Sequence, residues 1–325
     1  MKLARKILHC CMALTATLAC TWVAAQGQYP DKPIKIVVPY PPGGTSDNVT
    51  RIVAARMSEK LGQTIIIDNR GGAGTITGTV MVANSKADGY TLLATSTPLA
   101  INQSLYKSLP YRIPQDITPV SVMATVPLVM IVNPSSEAKT VEDLIKIIKD
   151  KPGELTYGSS GNGGSPHLSM EMFLSRIDGK MIHVPYKGSA PAVLDLVGGQ
   201  TDVVVDTLFL TQQQVSAGRA RALAQLGVKR SSLLPDVPTL QEAGLEGFDV
   251  SSWFMLTAPG GTPPAILELL NAAVNEAVTS DAVREAFAKQ GLEPVGGSVA
   301  DAEQFLKDQI ERFGAAVKRS GLQPG

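Results

Sequence analysis

Cysteine is almost absent from this chain, and the little there is lies at one end. The three cysteines, Cys10, Cys11 and Cys20, fall within the first 20 of 325 residues. If this segment is removed, no disulfide, thiolate nucleophile or cysteine-ligated metal can form. Beyond residue 20 the only histidines are His167 and His183. They fall in different predicted elements without carboxylates at ligand spacing, so the sequence predicts no metal site.

The N-terminus predicts export. Three basic residues precede an uncharged apolar stretch, residues 7–23, which is too short for a membrane anchor and typical of a secretory signal. Residues 23–25 then offer the small side chains that a signal peptidase requires, so cleavage is predicted after Ala25. A competing hypothesis is lipidation at Cys20, because residues 18–20 weakly resemble a lipobox.

Charged and aromatic residues are also few, at 18% and 5% of the chain. The 29 acidic residues balance 29 basic ones, of which Lys2, Arg5 and Lys6 would be lost on cleavage. No positive excess therefore indicates nucleic acid or an anionic membrane as a partner. No later stretch approaches the ~20 apolar residues of a membrane-spanning helix, so we expect a soluble mature protein.

After residue 29, short β-rich runs alternate with helical periodicity. Strands are predicted at residues 34–39, 64–68, 91–95, 128–132, 155–157, 181–184, 203–205, 222–226 and 253–258. Helices are predicted at residues 49–61, 75–87, 141–150, 166–177, 190–197 and from 264 to about 319. This alternation predicts parallel sheet covered by helices on both faces, with the apolar run at residues 65–67 in its buried centre. Two α/β units suit the length, and residues 120–132 and 249–258 are the candidate crossings between them.

Glycine and hydroxyl residues follow three of the predicted strands, at residues 39–47, 69–75 and 157–165. In parallel sheets, ligands bind at the carboxyl ends of strands, where helix N-termini present free N–H groups. Glycine allows close approach to the backbone, and hydroxyls add donors. A single such loop is more often a tight turn, but three together predict an anion-binding site built from neutral donors.

Individual residues at this site keep structural alternatives. Asp47 is more typical of an N-cap for a helix beginning at Val49 than of a ligand contact. His167 could reach a cleft or could equally be packed or capping. Asp206, just past a predicted strand, could face the ligand or cap the next helix. Tyr40 could line a cleft or be buried at the end of a strand.

Enzyme motifs are not found. Residues 72–78 miss the dinucleotide G-x-G-x-x-G spacing by one residue, and neither a phosphate-binding loop G-x-x-x-x-G-K-[ST] nor a nucleophile elbow G-x-S-x-G occurs. The chain therefore lacks a recognisable nucleophile–base pair, which argues against a hydrolase or transferase. A receptor that signals to a membrane partner would share the fold of a transport receptor and stays an alternative.

The chain resembles the Bug family, the extracytoplasmic solute receptors of tripartite tricarboxylate transporters. The similarity covers nearly the whole mature chain. Its strings are YPDKPI at 29–34, PGGTSD at 42–47, NRGGAG at 69–74, ADGYTL at 87–92, YGSSG at 157–161, VPYKG at 184–188, GGQTD at 198–202 and PDVPTLQEAG at 235–244. Thr75 departs from the pattern, because glycine is usual in the family at that position.

The resemblance implies a clamshell of the periplasmic-binding-protein type II kind, with two α/β domains and a ligand cleft at their interface. Domain 1 would be discontinuous, residues 26–124 and 252–325, and domain 2 would be residues 125–251. The implied ligand is a dicarboxylate, an acidic amino acid or an aromatic acid, passed to an integral-membrane permease. In the family, the first two βα loops hold a ligand carboxylate through N–H groups, hydroxyls and waters. We expect a monomer without catalytic residues, cofactor or metal.

The predicted ligand-binding residues combine the loop pattern with this resemblance. They are Tyr40, Gly43, Gly44, Thr45, Ser46, Asp47, Gly74, Thr75, Ser159, Ser160, Ser165, His167 and Asp206.

Overall fold

The computed structural model describes residues 29–320, a mixed α/β fold. Its strands are β1 (Ile34–Val38), β2 (Ile65–Asn69), β3 (Thr91–Ser96), β4 (Ile117–Val132), β5 (Thr156–Ser159), β6 (Ile182–Pro185), β7 (Val203–Thr207), β8 (Arg221–Gln225), β9 (Ser251–Pro259) and β10 (Glu293–Gly296). Its helices are α1 (Thr45–Leu61), α2 (Ile76–Ala83), α3 (Pro98–Leu105), α4 (Val141–Asp150), α5 (Ser165–Ile177), α6 (Ser189–Val197), α7 (Leu208–Ser216), α8 (Pro264–Thr279), α9 (Asp281–Ala288) and α10 (Val299–Ser320). The predicted signal peptide and cleavage site lie outside the described residues.

The strands form one mixed sheet in the order β2-β1-β3-β9-β4-β7-β5-β6, with β8 and β10 also paired to β4. The predicted parallel pairing holds at both ends, among β1, β2 and β3 and among β5, β6 and β7. In the middle, β9 and β4 pair antiparallel with each other and with their outer neighbours. We call strands β1, β2, β3, β9 and β10 the β1 side, and strands β5 to β8 the β7 side.

Strand β4 joins the two sides. Residues 117–127 pair with β9, and residues 128–132 pair with β7 and β8. The sequence predicted a strand only at residues 128–132, although it showed strand-like residues from residue 120 onward at this candidate crossing. The first part contains Pro119 and Pro127, which lack the N–H that a central strand donates, and its pairing with β9 shifts register between Pro119 and Ser121. The single strand therefore runs through both sides of the sheet.

Four other predictions of the elements are corrected. The run at residues 65–67 lies in β2 at the edge of the sheet and not in its centre, and Ile66 is 50% exposed. The helical stretch from residue 264 is interrupted by β10, which pairs with β4. Helices α3 and α7 were not predicted. Helix α1 begins at Thr45, four residues before the predicted start.

Two apolar layers cover the faces of the sheet. Neighbouring residues of one strand, such as Ile36 and Val37 in β1 or Val129 and Met130 in β4, belong to different buried clusters because successive side chains point to opposite faces. Helix α10 packs against α3, α5 and β4, while α1 packs against α8. Helices thus lie on both faces, as predicted. Across residues 29–320, no helix combines the length and the apolar character needed to cross a bilayer.

Candidate functional site

Five helices begin around one cavity between the β1 side and the β7 side. Their first-turn or N-cap residues at the cavity are Thr45 of α1, Thr97 before α3, Ser165 of α5, Ser189 of α6 and Thr207 before α7. The complete lining is Tyr40, Pro41, Pro42, Gly44, Thr45, Ser46, Ser96, Thr97, Ser160, Ser165, Pro166, Lys187, Gly188, Ser189, Ala190, Pro191, Asp206, Thr207, Ser252 and Phe254. The cavity volume is about 60 Å³.

The electrostatics of this cavity come from backbone more than from side chains. The first-turn N–H groups of a helix lack intrahelical acceptors, and each helix N-terminus carries roughly half a positive charge. Two of the lining residues have acidic or basic side chains: Lys187, which is exposed, and Asp206, which is buried. The cavity is therefore suited to an anion held by neutral donors.

The loop before α1 is built around two glycines. Gly43 has a positive φ of 87°, which favours glycine, and Gly44 is the N-cap. Asp47 is the third residue of the helix and accepts a hydrogen bond from the Gly43 N–H at 3.0 Å. The prediction that Asp47 caps a helix beginning at Val49 is wrong, because the helix starts one turn earlier.

Asp47 also does not line the cavity. Its carboxylate contacts the Arg51 guanidinium at 2.9 Å and accepts from the Asn69 amide at 3.0 Å. Burial alone would raise the pKa of Asp47, but the hydrogen bonds from Arg51, Gly43 and Asn69 outweigh it and lower that pKa. The negative charge is thus neutralised away from the cavity.

The loop before α5 repeats this backbone with a different third residue. Gly163 has φ 72°, Gly164 is the N-cap, and the Gly163 N–H donates to Nδ1 of His167 at 3.3 Å. The His167 ring is buried and stacks on the His183 ring with centroids 3.8 Å apart. Burial, and then the neighbouring His183, lower the pKa of His167 to about 3. His167 is therefore a packed, neutral residue behind the loop.

Ser159 belongs to the same buried cluster. Its hydroxyl lies 2.7 Å from Nε2 of His183, whose pKa burial lowers to about 4. Tyr157 also stacks on the His183 ring, with centroids 4.8 Å apart, and donates its hydroxyl to Glu171. Ser159 therefore packs behind the loop before α5 and does not line the cavity.

Hydroxyl pairs join the two sides across the cavity. Thr45 Oγ1 lies 2.7 Å from Thr207 Oγ1, and Ser165 Oγ lies 2.5 Å from Ser252 Oγ. In each pair, the first helical residue of a glycine loop on one side meets a strand residue of the other side. The Tyr40 hydroxyl, 3.0 Å from Ser96 Oγ, completes the wall, and burial raises its pKa to about 12.

Asp206 lies within β7 and is fully buried. Its Oδ1 accepts from the Thr207 N–H at 2.7 Å, whereas Oδ2 has no hydrogen-bond partner among the described residues. The Ser46 hydroxyl of the same cavity is also without a partner in the described chain. Burial raises the pKa of Asp206 to about 6. The N-cap of α7 is Thr207, so Asp206 is a wall residue and not the cap considered from the sequence.

The predicted residues fall into three groups. Those in the lining of this cavity are Tyr40, Gly44, Thr45, Ser46, Ser160, Ser165 and Asp206. Gly74 and Thr75 line an adjoining cavity of about 740 Å³, which also touches Tyr40 and Ser160. Gly43, Asp47, Ser159 and His167 line neither cavity.

The backbone conformation at position 75 is unfavourable for the threonine found there. Thr75 has a φ of 77°, a left-handed conformation that disfavours β-branched residues, and its buried hydroxyl has no partner among the described residues. A glycine at this position would adopt this conformation without strain.

Sequence reasoning missed part of the lining. Ser96 ends β3, Thr97 is the N-cap of α3 and Ser189 is the first residue of α6, so the same strand–hydroxyl–helix pattern could have found them. Ser252 and Phe254 lie inside β9 and reach the cavity only because β9 crosses beside β4. No local pattern distinguishes those two from other strand residues.

Comparisons with known proteins show which family, sequences and structures this chain is similar to. Residues 49–322 match the family described as tripartite tricarboxylate transporter family receptor. Protein BugT of Bordetella pertussis is 41% identical over 297 residues, 91% of each chain. The structure of R. palustris Rpa4515 with adipate is 37% identical, with a TM-score of 0.87 over 91% of this chain and 100% of its own. MatC from Rhodopseudomonas palustris with bound malate is 30% identical, with a TM-score of 0.85 over 89% of this chain and 100% of its own.

Proposed function

Because this chain belongs to the tripartite tricarboxylate transporter receptor family, we propose that it captures a small carboxylate in the cavity where five helices begin. The family consists of solute receptors, so the chain is a binding protein and not an enzyme. Its fold is the two-domain clamshell of periplasmic binding proteins. The relatives with adipate and malate support a carboxylate as the ligand class.

The convergence of helix N-termini is the observation that carries this proposal. A carboxylate here would accept from first-turn N–H groups and from hydroxyls such as Ser46, whose oxygen has no partner within the described chain. Hydrogen bonds to an ionised group contribute ~1.5–3 kcal/mol each. Several neutral donors can therefore hold the anion without a buried ion pair.

The binding cycle would use the two sides of the sheet as domains. We assign residues 26–124 and 252–325 to domain 1 and residues 125–251 to domain 2, with β4 and β9 at the crossings. The pairs Thr45–Thr207 and Ser165–Ser252 support closure of one domain on the other, because each pair spans this division. Ligand contact with both domains would then favour the closed state.

The finer points of location and partnership belong to the same proposal. Export to the periplasm would follow cleavage after Ala25, and the receptor would act as a monomer that delivers its ligand to the membrane subunits of the transporter. The family description supports a transporter partner.

Native mass spectrometry of protein purified from the periplasm without denaturation tests the ligand class. We expect a bound mass that corresponds to a small organic acid, and titration calorimetry with that acid should return a single site. A carried-over ligand without a carboxylate, or no binding to any carboxylic acid, would overturn the proposal.

A further inference from the structure

The Asp206 carboxylate lies in the wall of the cavity, and one of its oxygens has no hydrogen-bond partner among the described residues. The residue is fully buried in β7, and Oδ1 accepts from the Thr207 N–H at 2.7 Å and from Thr207 Oγ1 at 3.3 Å. Oδ2 has no partner within residues 29–320. Buried polar atoms in native proteins are generally hydrogen-bonded, so an open carboxylate oxygen in a ligand cavity indicates a missing donor.

No cation of the described chain supplies that donor. Lys187, the cation in the lining, is exposed and forms no ion pair with Asp206. The Ser189 hydroxyl at the start of α6 lies near enough to lower the pKa of Asp206 but forms no hydrogen bond with Oδ2, and the Tyr40 hydroxyl is engaged with Ser96 Oγ. Asp47 provides the contrast, because Arg51 and Asn69 satisfy its carboxylate behind the loop. The Asp47 carboxylate is thus neutralised, whereas Oδ2 of Asp206 has no hydrogen-bond partner among the described residues.

The ligand group that lies against Oδ2 of Asp206 must be a hydrogen-bond donor, because Oδ2 is itself an acceptor. A bare ligand carboxylate against Oδ2 would place two acceptor oxygens together with no proton between them, and like charges in a buried site repel. A hydroxyl or an ammonium group would donate to Oδ2 and remove this conflict. The ligand carboxylate would then lie at the helix N-termini, away from Asp206.

We propose that Asp206 selects carboxylates that also carry a hydrogen-bond donor, a hydroxyl or an ammonium, which donates to its open oxygen. This assignment rests on the proposed function, because it presumes that the cavity holds a carboxylate. It narrows the ligand class from acids in general to hydroxy acids and amino acids.

Matched acids that differ in one group test the assignment by titration calorimetry. The series are succinate, malate and aspartate, and propionate, lactate and alanine. In the unmodified protein, we expect the donor-bearing members of the series that binds to be roughly 10- to 100-fold tighter than the bare acid. In Asp206→Asn, the amide oxygen can keep the bond from Thr207 while its NH₂ replaces Oδ2, so the preference should disappear or invert.

Asp178→Asn is the matched control. Asp178 is exposed at the end of α5 in a left-handed conformation that asparagine tolerates, so the same chemical change there should leave every affinity unchanged. Thermal unfolding of both variants checks that they remain folded. If Asp206→Asn does not fold, the comparison of bare and donor-bearing acids in the unmodified protein still decides the matter.

The outcomes distinguish the proposed role of Asp206 from the proposed binding of a carboxylate. Equal affinity for succinate and malate, or a bare acid that binds tightly with uptake of one proton in buffers of different ionisation enthalpy, overturns the role of Asp206 and leaves carboxylate binding intact. Failure of all six acids, and of any acid identified by mass spectrometry, overturns both.

Discussion

The loops before α1 and α5 have the same backbone conformation, but the third helical residue is charged in one and neutral in the other. Each has a left-handed glycine, a glycine N-cap and a hydroxyl residue at the first helical position, Thr45 or Ser165. In each, the third residue accepts the N–H of the left-handed glycine. Asp47 does so as an anion paired with Arg51, whereas His167 does so as a neutral, buried ring.

This difference shows how the two loops avoid adding charge to the cavity. The first loop balances its charge with an arginine at the surface, and the second removes the charge by burial. Both leave the helix N-terminus and the hydroxyl free of a competing ionised group. We therefore expect the two loops to differ in stability and in pH response while they share a role in binding.

We call Asp47 and His167, which accept the N–H of the left-handed glycine, the anchors of the two loops. Replacing the second anchor, His167, should have the largest effect on stability. In His167→Ala, the loss of the stacked ring and of the acceptor for the Gly163 N–H should lower the free energy of unfolding by about 2–4 kcal/mol. Urea unfolding measures this change. His167→Asn can keep an acceptor for that N–H and should recover part of the loss. Equal losses in both variants would show that the hydrogen bond contributes nothing.

The first helical hydroxyls should matter for ligand affinity. Thr45→Val removes a hydroxyl at nearly constant volume and leaves the Thr207 hydroxyl without its partner across the cavity. We expect binding of the identified ligand to weaken by ~1–3 kcal/mol. Ser165→Ala is the counterpart in the second loop and should act in the same direction. Titration calorimetry of both variants decides it, and an effect in only one would show that the loops do not share the role.

The pH response should separate the two anchors. The pKa of folded His167 is lowered to about 3, so between about pH 6.5 and pH 4 the unfolded chain binds a proton that the folded chain does not. Stability therefore falls as the pH falls through this range, by up to roughly 1.4 kcal/mol per pH unit for a fully neutral buried histidine. Asp47, with its lowered pKa, stabilises the fold above the pKa of the unfolded carboxyl and loses this effect only in more acidic solution.

The measurement compares unfolding free energies of the unmodified protein and His167→Asn from pH 7.5 to 4.5. His183, whose pKa burial lowers to about 4, acts with the same sign as His167, and Asp206 acts with the opposite sign because its raised pKa favours the folded state as the pH falls. Both are present in the two proteins, so the difference between the proteins reports His167. A pH-independent difference would contradict the neutral histidine.

The smallest effect is expected at a cation close to the loops in sequence. Arg70 is 57% exposed in its side chain and pairs with Asp68 at 2.8 Å, outside both cavities. Arg70→Ala should change ligand affinity by less than about 0.5 kcal/mol. The same calorimetry could contradict this. If Arg70→Ala lost binding while Thr45→Val kept its affinity, the ligand would be held by an ion pair and not by neutral donors.

The elements with local signals were predicted from the sequence, and those that depend on distant partners were not. The strands leading into the glycine loops and the helices after them were found, because a glycine with positive φ followed by a hydroxyl is a property of a few adjacent residues. The first part of β4 was recognised only as strand-like residues at a crossing, and the whole of β10 was missed. Both are strands because they pair with segments more than a hundred residues away.

The sequence alone determined that glycine–hydroxyl loops begin the helices and that neutral donors dominate there. The tertiary structure alone decided which residues of those loops face the cavity. Each helical residue turns by about 100°, so the third residue points roughly opposite to the first. Once the sheet fixed Thr45 and Ser165 toward the cavity, Asp47 and His167 were turned behind the loops, and β9 brought Ser252 to meet Ser165.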